Sequence, residues 1–574
     1  MNRQLSRQAE ALRRGETGAV YKPHAGKLRV ALGYPNTYYL GMSNVGFQAV
    51  YRFLNDLPDV VCERVFLPDR ADRREFVRSG RPLFTLESET PVRDFDLFAF
   101  SITFEPDELN LIAMLDLAGI PPLAEERNER HPLVLAGGPV TFLNPEPLAA
   151  FLDVIAVGEA EALLQPLVDA IRRAEGRADL LKRLEAAGGF YLPSHFRVDY
   201  HPEGTIARRR NLVAAENRVV RAKMGKRADL PPPATYVLTR GTEMSMKFLV
   251  EVSRGCPTLC RFCWAGYNYL PRRSFELERI LEAARAARPY TAEVGLVSTA
   301  VGAHPEIVPL ARALKEMGFR ISVSSLRFED LRTELLEVLV DSGERGLAVA
   351  PEVGTDRLRY AIHKRIPNRE VFEKTEHIFS RGVENLKLYL MVGLPGEREE
   401  DLDGIVGLVE TIRRQMLEHG RRRGRLGKLT ASVNPFIPKP GTPFQWYPMA
   451  PLSELTSKMR YLEKSLARIP NVELNCKSPR LEKLQALLAA GDRRLAPAML
   501  AMARGEADLG RACSQAGLDL DFYIHRRRPL DEILPWGHID NGMKSDLLAT
   551  QLQKAESAPE EPWPTDSVTR AAAV

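Results

Sequence analysis

The chain is poor in cysteine, with six in 574 residues, and that scarcity excludes a disulfide framework for a protein of this length. It also lacks a charge excess. Eighty Lys and Arg against 75 Asp and Glu leave only +5, too little to imply a nucleic-acid partner by itself. No apolar run reaches the roughly 18 uncharged residues a membrane span needs. The start, MNRQLSRQAEALRRGE, is charged throughout and unlike a secretory leader. These absences point to the cytoplasm, where thiols serve metal or redox chemistry. Aromatic residues are not interleaved with the basic clusters RRR (208–210), HGRRRGRLGK (419–428) and HRRRP (525–529). These clusters therefore read as solvated loops or helix ends, and an RNA partner is unsupported.

What is present is a long, ordinary globular composition, 44% hydrophobic and 27% charged, enough for two or three domains. After an N-terminal extension (1–27), the runs LRVALGYP, VVCERVFLP, LFAFSIT, HPLVLAGGP and VIAVGEAE alternate with helical patterns such as SNVGFQAVYRFLND and PDELNLIAMLDLAG. Five short buried strands with helices between them predict an α/β fold, a doubly wound parallel sheet with its linker over 28–225. ADLPPPA (228–234) has a linker's composition. A second alternation over 240–450 uses FLVEVSR, EVGLVSTA, RISVSSLR, GLAVAPEVG, NLKLYLMVGLP and LTASVNPFIP as strands. Six strand-helix units suit a partial TIM-type barrel with chemistry at the C-terminal strand ends. A helical C-terminal domain is expected over 451–556 and a disordered tail over 557–574.

Just after the first barrel strand, EVSRGCPTLCRFCW carries Cys256, Cys260 and Cys263 in C-x3-C-x2-C spacing. That spacing lets one loop put thiolates on three irons of a cubane and leaves the fourth without a protein ligand. Zinc is the competing reading, but it normally completes a tetrahedron, and the next histidine in the chain is His304.

With these residues the chain resembles the radical SAM superfamily. The resemblance implies a 4Fe-4S cluster whose open iron is chelated by S-adenosylmethionine, one-electron cleavage of the sulfonium, and a 5'-deoxyadenosyl radical that abstracts hydrogen from substrate. It also implies an electron donor such as flavodoxin or ferredoxin. Phe262 occupies the family's aromatic position near adenine. STAVGAHPE (298–306) stands where the family has a Gly-Gly-Glu type motif and departs from it. SVSSLR (322–327) and APEVGTDRLRYAIHKR (350–365) resemble segments of the methylthiotransferase-like branch, which makes Glu352, with Ser324 beside it, the candidate for the ribose hydroxyls. Lys387 and Arg365 are the candidates for the cofactor carboxylate. LMVGLPGE (390–397) resembles the fifth-strand motif, with Gly393 approaching adenine, and NPFIPKPGTPFQW (434–446) the sixth-strand segment.

The N-terminal segments YPNTYYLGMSNVGFQAVYRFLND and AGGPVTFLNPEPLAAFLD resemble a cobalamin-binding-type domain, bringing in cobalamin as a further candidate cofactor near Gly137, Gly138 and Gly158. The D-x-H-x-x-G motif that ligates cobalt is missing. The C-terminal segments resemble those of a fused radical SAM group whose substrate is unidentified, and they place His525, Trp536, His538 and Asp540 at the barrel mouth. Cys62, Cys476 and Cys513 are scattered, so a second cluster is not expected. The expected function is a radical SAM enzyme acting on an unidentified substrate. A cobalamin-dependent methyltransferase using the same cluster and a non-enzymatic iron-sulfur or zinc protein are the alternatives.

Overall fold

The computed structural model describes residues 3–225, 230–560 and 562. Within the linker, residues 228 and 229 lie outside the described residues, as does nearly all of the tail beyond 560. The chain forms two compact units, one of residues 1–249, 487–524 and 531–542, the other of 250–486, 525–530 and 543–574. Residues 451–556, expected as one helical domain, are thus divided between the units.

In the first unit β1 (Leu28–Tyr34), β2 (Val60–Phe66), β3 (Leu97–Ser101), β4 (Leu133–Gly137) and β5 (Val154–Ala156) form a parallel sheet in the order β2-β1-β3-β4-β5. The short antiparallel β6 (Phe190–Tyr191) closes the β5 edge. The strands are apolar nearly throughout because helices cover both faces, and Val30, Val60, Phe98, Val134 and Val154 are fully buried. Helix Val45–Asp56 starts where Asn44 Oδ1 accepts the Phe47 N–H at 2.8 Å. Helix Asp107–Ala118 stops at Gly119, in the left-handed region.

The N-terminal segment is built into this unit. Arg64 on β2 is fully buried, donating to Glu16 at 2.7 and 2.8 Å and to Glu87 at 2.6 Å. A cation so buried persists because two carboxylates and the Tyr51 ring, 4.9 Å away, surround it. A hairpin of β7 (Phe196–Tyr200) and β8 (Ile206–Asn211) follows the sheet.

The second unit holds the barrel strands. β9 (Phe248–Glu251), β10 (Glu293–Val297) and β11 (Arg320–Val323) form one sheet, and β12 (Gly346–Glu352), β13 (Asn385–Val392), β14 (Leu429–Pro435) and β15 (Val472–Cys476) form a second. A parallel bridge between Leu326 and Val349 joins them. All six expected strands are present. The seventh, β15, pairs in parallel with β14 inside the region expected to be helical. Its sequence VELNC is short and alternates polar residues, a pattern too brief to stand out between two helices. Along β13, Leu386, Leu388, Leu390 and Val392 are buried on the helix-covered face, while Lys387, Tyr389 and Met391 are half-buried on the opposite, lumen face. Among the described residues no helix is long and apolar enough to cross a membrane.

Candidate metal and cofactor site

The cysteine loop leaves β9 through Gly255, whose φ of +91° and approach to Tyr269 leave no room for a side chain: a Cβ would lie 2.4 Å from the Tyr269 carbonyl oxygen. Cys256 and Cys263 are half-buried and Cys260 is buried. Burial raises the Cys260 thiol well above its ordinary range, and charge on Cys263, Glu352 and Cys256 raises it further while Lys364 opposes them. The three sulfurs, one carboxylate and one ammonium therefore share a single electrostatic environment. Burial also raises Cys263, against backbone N–H groups of Gly266 and Ala265. Among the described residues no three His, Cys, Asp or Glu side chains converge on one metal ion. Three soft thiols on one loop fit a cubane, which spreads its ligands over separate irons.

Three tethers hold the loop. Arg327, following β11, donates to Thr258 Oγ1 and lies 3.7 Å from Cys256 Sγ, while Asp330 clamps the same guanidinium with two bonds of 2.6 Å. Arg261, between the second and third cysteines, donates to the carbonyls of Ala361 (2.7 Å) and Tyr360 (3.2 Å). His363 Nδ1 lies 2.9 Å from the Leu259 carbonyl oxygen.

Glu352 ends β12 beyond a register shift, at φ +69°. A bulge at a strand end re-aims its side chain, and a non-glycine residue in the left-handed region is strained. Arg359 holds that strain in place. Its buried guanidinium donates to the carbonyls of Val353 (2.6 Å) and Pro351 (3.2 Å), which flank Glu352. Burial lowers Arg359 to about 10. Lys364 Nζ sits 3.4 Å from Glu352 Oε1, and both are largely buried. Burial pushes the Glu352 carboxyl up, opposed by Lys364, and the carboxylate in turn holds Lys364 above its usual value against desolvation.

Phe262 is half-buried between the cysteines. Ser324 is exposed and donates to the Ser298 carbonyl at 3.2 Å. Arg365 is exposed and donates to His363 Nε2 at 2.9 Å, so Lys364, its neighbour, is the cation brought to the group. Lys387 pairs in register with Ala348, four residues and about 13 Å before Glu352 along the strand direction, and its ammonium lies 4.9 Å from the Tyr389 ring centroid. Gly393 has φ +82°, its N–H donates to Glu397 at 2.9 and 3.0 Å, and a Cβ there would strike Leu455 at 2.6 Å. Arg327, Arg359, His363 and Lys364 were not singled out in the sequence, although all lie in the segments that carry the resemblance.

His538, Trp536 and Asp540 belong to the first unit. His538 is buried against the Tyr191 ring, 4.6 Å away, and burial near Arg209 lowers it to about 3. Its Nε2 lies 3.6 Å from Glu146 Oε1. His525 remains in the second unit, with Nδ1 2.9 Å from the Met449 carbonyl oxygen. In the first unit's sheet, Gly138 and Gly158 answer to the chain's own backbone. A Cβ on Gly138 would lie 2.3 Å from the Ile102 carbonyl oxygen, and one on Gly158 2.2 Å from that of Ala222. These backbone contacts by themselves account for both glycines.

Residues 46–193 match the model of radical SAM proteins, N-terminal, and residues 250–409 that of the radical SAM superfamily. An uncharacterized protein of Methanocaldococcus jannaschii is 27% identical over 81% of this chain and 89% of its own. A tRNA-2-methylthio-N(6)-dimethylallyladenosine synthase of Jannaschia is 26% identical over 46% of this chain and about half (52%) of its own length. Among solved structures, the radical S-adenosylmethionine methyltransferase TsrM of Kitasatospora setae is similar at TM-score 0.48 and 13% identity, covering 73% of this chain and 75% of that one. The two family models follow one another in chain order over more than half of its length, and the second takes in the whole cysteine loop and the Glu352–Lys364 pair: the chain belongs to the radical SAM superfamily and is an enzyme of that superfamily.

Proposed function

We propose that Cys256, Cys260 and Cys263 hold three irons of a 4Fe-4S cluster, and that the protein cleaves S-adenosylmethionine reductively to act on a substrate admitted to the barrel lumen. The observation that carries this reading is the grouping of three thiols with the buried Glu352–Lys364 pair at the C-terminal strand ends. When bound, the cluster supplies one electron to the sulfonium, and homolysis yields methionine and the 5'-deoxyadenosyl radical. Glu352, fixed by Arg359, accepts from the ribose hydroxyls, with Ser324 alongside. Phe262 and the Gly393 turn face the adenine. Lys364 takes the cofactor-carboxylate role that the resemblance gave to Arg365. Lys387, Tyr389, Ser432 and Asn434 line the lumen where substrate enters, because they alternate with the helix-facing residues of β13 and β14.

Anaerobic reconstitution tests the reading directly. About four irons and four sulfides per chain are expected, together with 5'-deoxyadenosine when reductant and S-adenosylmethionine are supplied. Cys260→Ala should lose both. A single zinc per chain without sulfide, or undiminished 5'-deoxyadenosine from that variant, refutes the assignment.

A further inference from the structure

The lumen assigned to substrate has one wall of polar side chains that the protein itself leaves open. Lys387 and Tyr389 on β13 and Ser432 and Asn434 on β14 share the lumen face, where Tyr389 pairs in register with Ser432 and Met391 with Asn434. Among the described residues none of these four side chains makes a hydrogen bond or an ion pair with the protein, and the Lys387 ammonium meets the Tyr389 ring, 4.9 Å away. Ser432 is 7% exposed, so its hydroxyl has little bulk water to turn to. Polar groups in such places are ordinarily satisfied within the fold, and a contiguous open set on one wall is what a polar ligand completes.

The neighbouring strand makes the room. Ala348 pairs in register with Lys387 and Ala350 shares its face, so β12 sets methyl groups, not bulky side chains, beside the ammonium and the ring. Charge then selects the ligand. Glu251, on β9 between the fully buried Val250 and Val252, is held by Arg254 at 2.6 Å, and Glu352 is held by Lys364 at 3.4 Å. Both pairs are neutral, and Lys387 is left with a single positive charge. One carboxylate balances it, whereas a neutral ligand would leave the ammonium uncompensated and a phosphate dianion would bring in a second charge with no cation to meet it. The ammonium lies at the level of Tyr389 and Ser432, two residues and roughly 7 Å below the Met391–Asn434 rung near the C-terminal strand ends.

We propose that the substrate is a small carboxylic acid, its carboxylate held by the Lys387 ammonium and the Ser432 hydroxyl. Its chain runs up the lumen along the Tyr389 ring toward Asn434, and the carbon that gives up hydrogen lies roughly 7 Å from the acid group. The inference deepens the proposed function and rests on it.

Saturation-transfer NMR on the iron-loaded full chain, under anaerobic conditions, compares hexanoate with hexanamide and hexyl phosphate, probes with the same alkyl end and different charge. Hexanoate should bind about fivefold or more tightly than either. K387M should weaken hexanoate about tenfold or more, the worth of one charge-assisted hydrogen bond, and bring it level with hexanamide, while K387R keeps most of the affinity. S432A changes no charge and keeps the test open should K387M fold poorly; it should weaken hexanoate by about threefold. Equal binding of hexanoate and hexanamide overturns the proposal, as does hexanoate affinity indifferent to both K387M and S432A. Tighter binding of hexyl phosphate overturns it too, in favour of a phosphorylated ligand. Iron and sulfide content is read separately: a chain that takes up both and ignores the probe's charge refutes the acid substrate alone, whereas one that takes up neither refutes the cluster reading, and the substrate role of the lumen with it.

Discussion

Glu352 and Lys364 are a buried pair in which each ion is tolerated because of the other. Glu352→Gln would leave a buried ammonium uncompensated, and loss of one partner from such a pair typically costs about 3 to 5 kcal/mol. Glu352→Gln/Lys364→Met should be markedly less damaging than the sum of the single changes, and a double-mutant cycle on urea midpoints measures that coupling. The same carboxylate is assigned to the cofactor ribose, so Glu352→Ala should also weaken S-adenosylmethionine binding by roughly tenfold to a hundredfold, the worth of a charge-assisted hydrogen bond. Equal affinity in calorimetry would move the ribose contact elsewhere. The sequence singled out Glu352 and Arg365 but not Lys364. Adjacent basic residues carry the same composition signal, and only the turn at His363, with φ +61°, decides which of them faces inward.

Among the elements, helix Asp107–Ala118 opens with a carboxylate in an unfavourable place. Burial raises Asp107 to about 6, against hydrogen bonds from Asn36 (2.8 Å) and Asn110 (3.2 Å). A folded-state value above the unfolded one means that the protonated form favours folding. That contribution is complete below about pH 3.8 and is lost as pH rises through 6. Asp107→Asn should therefore be the more stable protein at pH 8, by up to about 3 kcal/mol, with the gap closing toward pH 4. Denaturant titrations at the two pH values check the sign. At the edge of the same sheet, Gly158→Ala drives a methyl group into the Ala222 carbonyl and should destabilise the first unit by a few kcal/mol whether or not any corrinoid is present.

Across the whole molecule, residues distant in the chain complete the first unit. Glu146 is fully buried and held down to about 2. Desolvation opposes this, but Arg493, donating at 2.9 and 3.2 Å, and the other cationic neighbours together overcome it, while the Tyr191 hydroxyl donates at 2.5 Å. This depressed carboxylate contributes stability above pH 4.5 that is lost as pH falls toward 2. Asn144 donates to the carbonyls of Ala489 and Gly491, and Val219–Val220 pairs in parallel with Ile539–Asp540. A fragment ending at residue 249 would lack Arg493, Ala489, Gly491 and the Ile539–Asp540 strand. It should melt less cooperatively and bind a hydrophobic dye, and Arg493→Met in the full chain should cost about 3 to 5 kcal/mol. A fragment as stable as the intact unit would show these contacts to be dispensable.

By itself the sequence determined the alternation of strands and helices in both sheets, because each strand is a short apolar run and each helix a 3.6-residue pattern, signals contained within one element. It also determined the cysteine loop, whose thiol spacing is local, and the strand end carrying Glu352. Tertiary structure alone decided what depends on residues far apart in the chain. It paired VELNC as a seventh strand on the β14 edge, divided the C-terminal region between two units, and buried His538 beside Glu146 and Tyr191. It also set Arg359 across the backbone of Glu352 and turned Lys364 inward. Composition and periodicity record how often a residue is buried, but which partner buries it is settled by packing between segments hundreds of residues apart.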